Sequence, residues 1–209
     1  MKNFWLLIGL GWVMALGIMI ALLLHITQKE TIVFTDLEGA DAPEILATDP
    51  VRGNLATGTV PVVTYSNFSC ENCKQMNVVV EDFMVRHPDT LIHVWKDLPN
   101  ATVNSESQRA SVAARCAQKQ GAFWEYHELL YRHQVSQGAE LYLSIAKELD
   151  LNTGRFERCV AAERPLEWIR ANVTEADELD VVSAPTLFIG DLRFTGEVTL
   201  DQLEAALAQ

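Results

Sequence analysis

Cys70-Glu71-Asn72-Cys73 places two thiols three residues apart, after the strand-like run Val60-Pro61-Val62-Val63-Thr64-Tyr65 and before a helix-like one. Thiols at that spacing can close a small disulfide and open it again. The free N–H groups and dipole at a helix start favour negative charge on the first sulfur. Cys70 is therefore the candidate thiolate nucleophile and Cys73 its resolving partner. Two thiolates would also suit Cu(I), which favours soft sulfur ligands, so a copper-binding module is the competing chemistry. Met76 lies nearby, but its position fits core packing. His87 and His127 have no ligand spacing to the cysteines, and His127 reads as a helix-face residue. No metal, nucleotide or flavin is required for thiol exchange. No Gly-rich phosphate loop or supported Ser/His/Asp arrangement is read in the chain.

Two further cysteines, Cys116 and Cys159, bring the total to four, and four cysteines allow three connectivities. The short first spacing favours 70–73 plus 116–159. The second bridge would close a loop of about 44 residues, a contribution of about 4 kcal/mol in the chain-entropy model. The alternative is that both are small buried core thiols. A second bridge would place the domain in an oxidising compartment, outside the cytoplasm.

The elements that must hold these residues follow from periodicity. Residues 60–68 form a first strand. Residues 71–86 form a helix, with Met76, Val79, Val80, Phe83 and Met84 at helical spacing, ended by His87-Pro88. Leu91-Ile92-His93-Val94-Trp95 is a buried strand, which implies a parallel pair across a right-handed crossover. A helical block follows. Ser105 with Gln108 has capping-box spacing. Residues 122–134, 140–149 and 166–179 are further helices, and Thr153 is positioned to cap another that carries Phe156, Cys159 and Val160. Next come Val181 to Ile189, a Gly190-Asp191 turn and Leu192-Arg193-Phe194, which predict a hairpin. Thr199 with Gln202 opens the last helix, through Leu207. The order is βαβ, a helical block, then ββα.

The N-terminus is of another kind. Phe4 to Leu24 carries no charge, and 21 residues at about 1.5 Å each cross a hydrocarbon core of about 30 Å. A cleaved signal peptide is the alternative. Its apolar region is usually about 7–15 residues and ends in small residues; Leu22-Leu23-Leu24-His25-Ile26 offers no such site. An uncleaved anchor over residues 1–25 is expected. Residues 26–57 carry Asp, Glu, Gly, Pro and Thr and predict a tether, with a short strand possible at Ile32-Val33-Phe34. The compact domain should then occupy 58–209. With a formal net charge of −12, the chain lacks the clustered cations that a nucleic acid would need.

The Cys70-x-x-Cys73 after the first strand, the helical insertion at about 104–180, Ser183-Ala184-Pro185-Thr186, and the closing hairpin and helix together resemble a thioredoxin fold with an inserted helical domain. DsbA-type thiol–disulfide oxidoreductases have this arrangement. Thr64-Tyr65-Ser66-Asn67-Phe68-Ser69-Cys70, Trp95-Lys96-Asp97-Leu98-Pro99 and Gly121-Ala122-Phe123-Trp124-Glu125-Tyr126-His127 are similar to segments of that family. The resemblance covers about residues 58–209. It implies a cis peptide before Pro185, where the alternative is an ordinary trans proline at a strand start. It also implies that Ala184 and Pro185 line the substrate-peptide site. It further implies an extracytoplasmic enzyme acting on cysteine-containing exported proteins and served by a quinone-linked DsbB-like oxidase or a reductase; with the apolar run at 4–24, a single-pass anchor in a bacterial inner membrane is expected. No dimerisation domain is read, so a monomer is expected.

The chain departs from the family in two places. Many relatives carry an acidic residue six positions before the first cysteine; here it is Thr64. The strongly oxidising relatives have Pro-His between the cysteines, where this chain has Glu71-Asn72. A carboxylate beside Cys70 disfavours its thiolate, and a less stabilised thiolate makes a less oxidising disulfide.

Overall fold

A strand that is buried at every position must lie inside a sheet, with both faces covered. In a computed structural model of the chain, Leu91–Asp97 is such a strand. The structure describes residues 42–56, 59–100 and 105–208, together with Met19. The strands and helices below all lie within one unit, residues 35–209. The sheet has five strands: β1 Val51–Gly53, β2 Val60–Ser66, β3 Leu91–Asp97, β4 Thr186–Ile189 and β5 Leu192–Thr195. Their order is β1-β3-β2-β4-β5. Only β2 and β3 pair in parallel, because α1 (Glu71–Arg86) crosses between them. The other three pairings are antiparallel.

Among the described residues, five α-helices stand between β3 and β4. They are α2 Glu106–Gln118, α3 Phe123–Arg132, α4 Ala139–Glu148, α5 Thr153–Ala161 and α6 Leu166–Glu178; α7 Leu200–Leu207 ends the fold. This is the thioredoxin-like α/β arrangement with its helical insertion. Two buried clusters result. Val62, Met76, Val80, Phe83, Leu187 and Leu203 fill the space between sheet, α1 and α7. Trp95, Phe123, Tyr126, Leu130, Ile145 and Phe156 join the sheet to the insertion. Inside the insertion, Cys116 of α2 is bonded to Cys159 of α5, with Cα atoms 5.8 Å apart.

Local signals set the ends of the elements. Thr199 and Gln202 form a complete capping box, whereas Ser105 makes only its own half, accepting from the Gln108 amide. Asn152, not Thr153, caps α5, because its side-chain amide oxygen accepts from the Arg155 amide. Strand β2 stops at Ser66 rather than 68, since Asn67 turns the chain by accepting from the Ser69 amide. β4 begins only at Thr186, with residues 181–185 irregular ahead of it.

The composition of residues 26–57 predicts a tether, and there the structure differs. From residue 42 the chain is built into the domain. Val51–Gly53 extends the sheet against β3. Gly53, at φ 109°, lies so close to β3 that an added Cβ would come within 2.6 Å of the Leu91 carbonyl oxygen. Asp49 is buried in ion pairs with Lys96. Three residues are too few to show a strand period, and the polar composition that reads as solvated supplies buried partners instead. The compact domain therefore begins before Gly58. Apart from Met19, the expected anchor, together with the Ile32–Phe34 strand and residues 26–41 and 57 of the expected tether, lies outside the described residues. Among the described residues no helix is long and apolar enough to cross a membrane.

Candidate active site

Cys70 sits where β2 hands over to α1, as the N-cap of that helix, in extended conformation. Its sulfur accepts from the Cys73 amide at 3.1 Å, as a negatively charged cap would. Cys70 and Cys73 are bonded, with S–S 2.14 Å and Cα atoms 5.1 Å apart. Their exposure differs: Cys70 is half-buried, whereas Cys73 is 1% exposed. Of the two sulfur-bearing residues, Cys70 is the one that solvent reaches. Glu71 and Asn72, between them, point to solvent.

The opposite wall comes from the other end of the chain. The Ala184–Pro185 peptide is cis, and the Ala184 carbonyl oxygen lies 3.8 Å from Cys70 Sγ. With Cys70 oxidised there is no thiol proton, so this is a contact and not a hydrogen bond. The structure thus brings together Cys70, Cys73, Ala184 and Pro185, more than 110 positions apart in sequence. Cys116 and Cys159 stand elsewhere, within the insertion.

Residues that the sequence did not single out complete the rim. Gln134 donates to the carbonyls of Phe68 at 3.0 Å and Cys70 at 2.8 Å. Gln137 donates to the Phe68 carbonyl and accepts from the Ser69 hydroxyl at 2.6 Å. Gln134 opens the turn Gln134–Ser136 and Gln137 follows it, beyond the α3 motif, where glutamines look like ordinary surface. Val135, next to Gln134, and Val182, three residues before Pro185, are 96% and 91% exposed.

Beneath the cysteines the site is aromatic. Phe68 stacks on Trp95 with ring centres 4.7 Å apart, and His127 meets Phe68, Trp95 and Tyr131 edge-on. His127 is therefore an inward-facing residue of α3, with its pKa lowered by burial. Thr64, six positions before Cys70, is buried on β2, and its hydroxyl is 2.9 Å from Nε2 of the buried His93. Burial first, then the charge of Arg52, holds the His93 pKa well below the usual imidazole range. Among the described residues no group of three or more His, Cys, Asp or Glu is placed to hold a metal ion.

Residues 46–209 match the family model Thioredoxin_4, described as thioredoxin. The chain belongs to the thioredoxin family. Solved structures agree on the fold of this thioredoxin-family chain. The thiol–disulfide exchange protein α-DsbA2 of Wolbachia pipientis superposes with TM-score 0.68 at 21% identity, over 78% of this chain and 87% of that one. The catalytic domain of Proteus mirabilis ScsC gives 0.65 at 22%, over 81% and 91%. Oxidised BdbD of Bacillus subtilis gives 0.65 at 18%, over 77% and 91%. Among curated sequences, the Na(+)/H(+) antiporter NhaA 3 of Salinispora tropica is 36% identical over 159 residues, 76% of this chain but 24% of the antiporter. The chain thus spans about a quarter of the length of such relatives. The fold is DsbA-like, and it carries a Cys-x-x-Cys disulfide at this helix start beside a cis-proline, an arrangement that can carry out thiol–disulfide exchange.

Proposed function

We propose that this protein is a membrane-anchored, extracytoplasmic oxidoreductase that introduces disulfides into exported proteins through Cys70 and Cys73. The observation that carries the reading is the accessible Cys70 sulfur, bonded to a buried Cys73 and facing the Ala184 carbonyl. A substrate thiolate attacks Cys70 Sγ, and the electron pair of the 70–73 bond passes to Cys73. The mixed disulfide is then resolved by the substrate's second thiol, which releases Cys70. Ala184, held by the cis bond to Pro185, offers its backbone to the substrate chain as a strand partner. Val135 and Val182 give that chain an apolar seat. The enzyme leaves with two thiols and is reoxidised by a membrane partner of the quinone-linked kind. The second disulfide, Cys116–Cys159, supports an oxidising compartment, on the periplasmic side of a bacterial inner membrane. The uncharged run of residues 4–24 supports the single-pass anchor. The protein acts as a monomer.

Glu71 favours a second reading, a reductase or isomerase of the same site. Its carboxylate stands one residue from Cys70 and opposes the thiolate that an oxidant must release. The equilibrium constant with glutathione separates the two. An oxidase requires a potential above the thioredoxin value of about −270 mV. Replacing Glu71-Asn72 by Pro-His should shift that constant by at least about tenfold toward the dithiol, about 30 mV. An unchanged constant would show that the dipeptide does not set the potential. For the anchor, the full chain should stay with membranes through an alkaline carbonate wash while protease added to spheroplasts digests the domain. Release by the wash, or protection from the protease, would overturn that part.

A further inference from the structure

A void of about 10 Å³ lies beneath Cys73, lined by Thr64, Ser66, Cys73, His93 and Tyr131 among others. That is room for about one water. Three adjacent strands deliver a chain of polar groups to it. Arg52 on β1 is in register with His93 on β3, and its NH2 lies 3.1 Å from His93 Nδ1. His93 Nε2 in turn lies 2.9 Å from Thr64 Oγ1 on β2.

Chemistry gives this chain a direction. A guanidinium has donors and no acceptor, so His93 Nδ1 must accept. A neutral imidazole that accepts at Nδ1 carries its proton on Nε2 and donates it to Thr64 Oγ1. The Thr64 hydroxyl proton is then left to point elsewhere. Its protein alternative, the Val94 carbonyl, is 3.5 Å away, at the outer limit of a hydrogen bond. The other hydroxyls on the void are committed. Tyr131 donates to the Asn67 carbonyl at 3.3 Å, and Ser66 then donates to Tyr131 at 2.9 Å.

We propose that Thr64, oriented by Arg52 and His93, donates a hydrogen bond toward Cys73 Sγ, directly or across one water, and stabilises it as the leaving thiolate when the 70–73 disulfide opens. Thr64 acts on the reacting sulfur; His93 and Arg52 are positioning residues. In the step, the substrate S–Cys70 Sγ bond forms, the Cys70–Cys73 bond breaks, and its electron pair resides on Cys73. Once the second substrate thiol has reacted, the substrate dithiol has lost two electrons and two protons. The enzyme disulfide has gained both, the protons exchanging through solvent. The surroundings keep the chain in this state. Arg52 is screened by Glu81 and Glu128 on its outer side and lies over the Trp124 ring at 4.1 Å. Its pKa, lowered by burial to about 10, leaves it charged at neutral pH. Burial lowers the pKa of the adjacent His127, and burial first, then the charges of Arg52 and His127, lower that of His93.

The inference rests on Cys70–Cys73 exchange, and one set of measurements separates the two. Thr64→Val keeps shape and removes the donor. It should shift the glutathione constant about tenfold toward the disulfide, the scale of one hydrogen bond to a charged group, and slow opening by a similar factor. Thr64→Ser, which keeps the hydroxyl, should stay within about twofold of the parent by the same reasoning. Nitrogen-15 NMR of the oxidised protein should find the His93 proton on Nε2. A Thr64→Val constant equal to the parent's and to Thr64→Ser's, or a proton on Nδ1, overturns the proposal. A parent protein that does not cycle with glutathione at all overturns the exchange reading instead.

Discussion

Cys70→Ser is expected to lower turnover of a dithiol peptide, or of insulin reduction, to the uncatalysed background. Serine keeps the helix cap but supplies no sulfur to attack or be attacked. The geometry makes a stronger demand than loss of activity, because the two cysteines are not equivalent. Cys70 is half-open and Cys73 is 1% exposed. Cys73→Ala should therefore leave a thiol that captures substrate and cannot release it. A one-to-one mixed disulfide through Cys70 should then accumulate, visible by mass spectrometry without reductant. Cys70→Ser should capture nothing, since Cys73 has no path to a substrate. Retained turnover in Cys70→Ser, or trapping through Cys73, would sink the assignment of roles.

Much of this site is readable in the sequence, for definable reasons. A Cys-x-x-Cys reports itself because its chemistry depends on local spacing. Ala184-Pro185 is found by its place in the element order, before the closing hairpin. The helices of the insertion show their apolar period, and only their ends shift, as with Asn152 replacing Thr153 as the cap of α5. What the sequence hides is whatever depends on distant pairing. Gln134 and Gln137 hold the Cys70 loop through backbone carbonyls, which any glutamine could do from any place. Arg52, His93 and Thr64 belong to three strands and meet only when those strands are laid side by side. β1 itself is three residues long, and no periodicity can show in so short a run.

The same blindness covers the charged residues in the core, where the second large effect is expected. Arg115→Met should cost about 3–5 kcal/mol, the range for a buried ion pair that loses one partner. That is a large share of the roughly 5–15 kcal/mol that holds a domain together. Arg115, fully buried on α2, donates to Asp97 on β3 at 2.6 Å, to the Thr48 carbonyl at 2.7 Å and to Asn172 on α6 at 2.8 Å. Asn172 passes a hydrogen bond on to Asp49 at 3.0 Å. Asp49 pairs with Lys96 at 2.7 Å, and Lys96 with Glu175 at the same distance. Lead-in, sheet and insertion are thus pinned to one another by charge. Methionine fills much of the volume, so the loss would come chiefly from Asp97, left with the Trp95 indole as its remaining side-chain partner. Adding Asp97→Asn removes that stranded charge and should recover at least about half of the loss, because the unpaired carboxylate is the main cost. Arg86→Ala, which breaks the solvent-exposed pair with Asp82, should leave the urea midpoint where it was. Urea unfolding followed by tryptophan fluorescence measures all three variants. A loss below about 1 kcal/mol for Arg115→Met would place that pair in the range of surface pairs and refute its role as the clamp. No recovery in the double variant would move the cost from the stranded charge to lost packing.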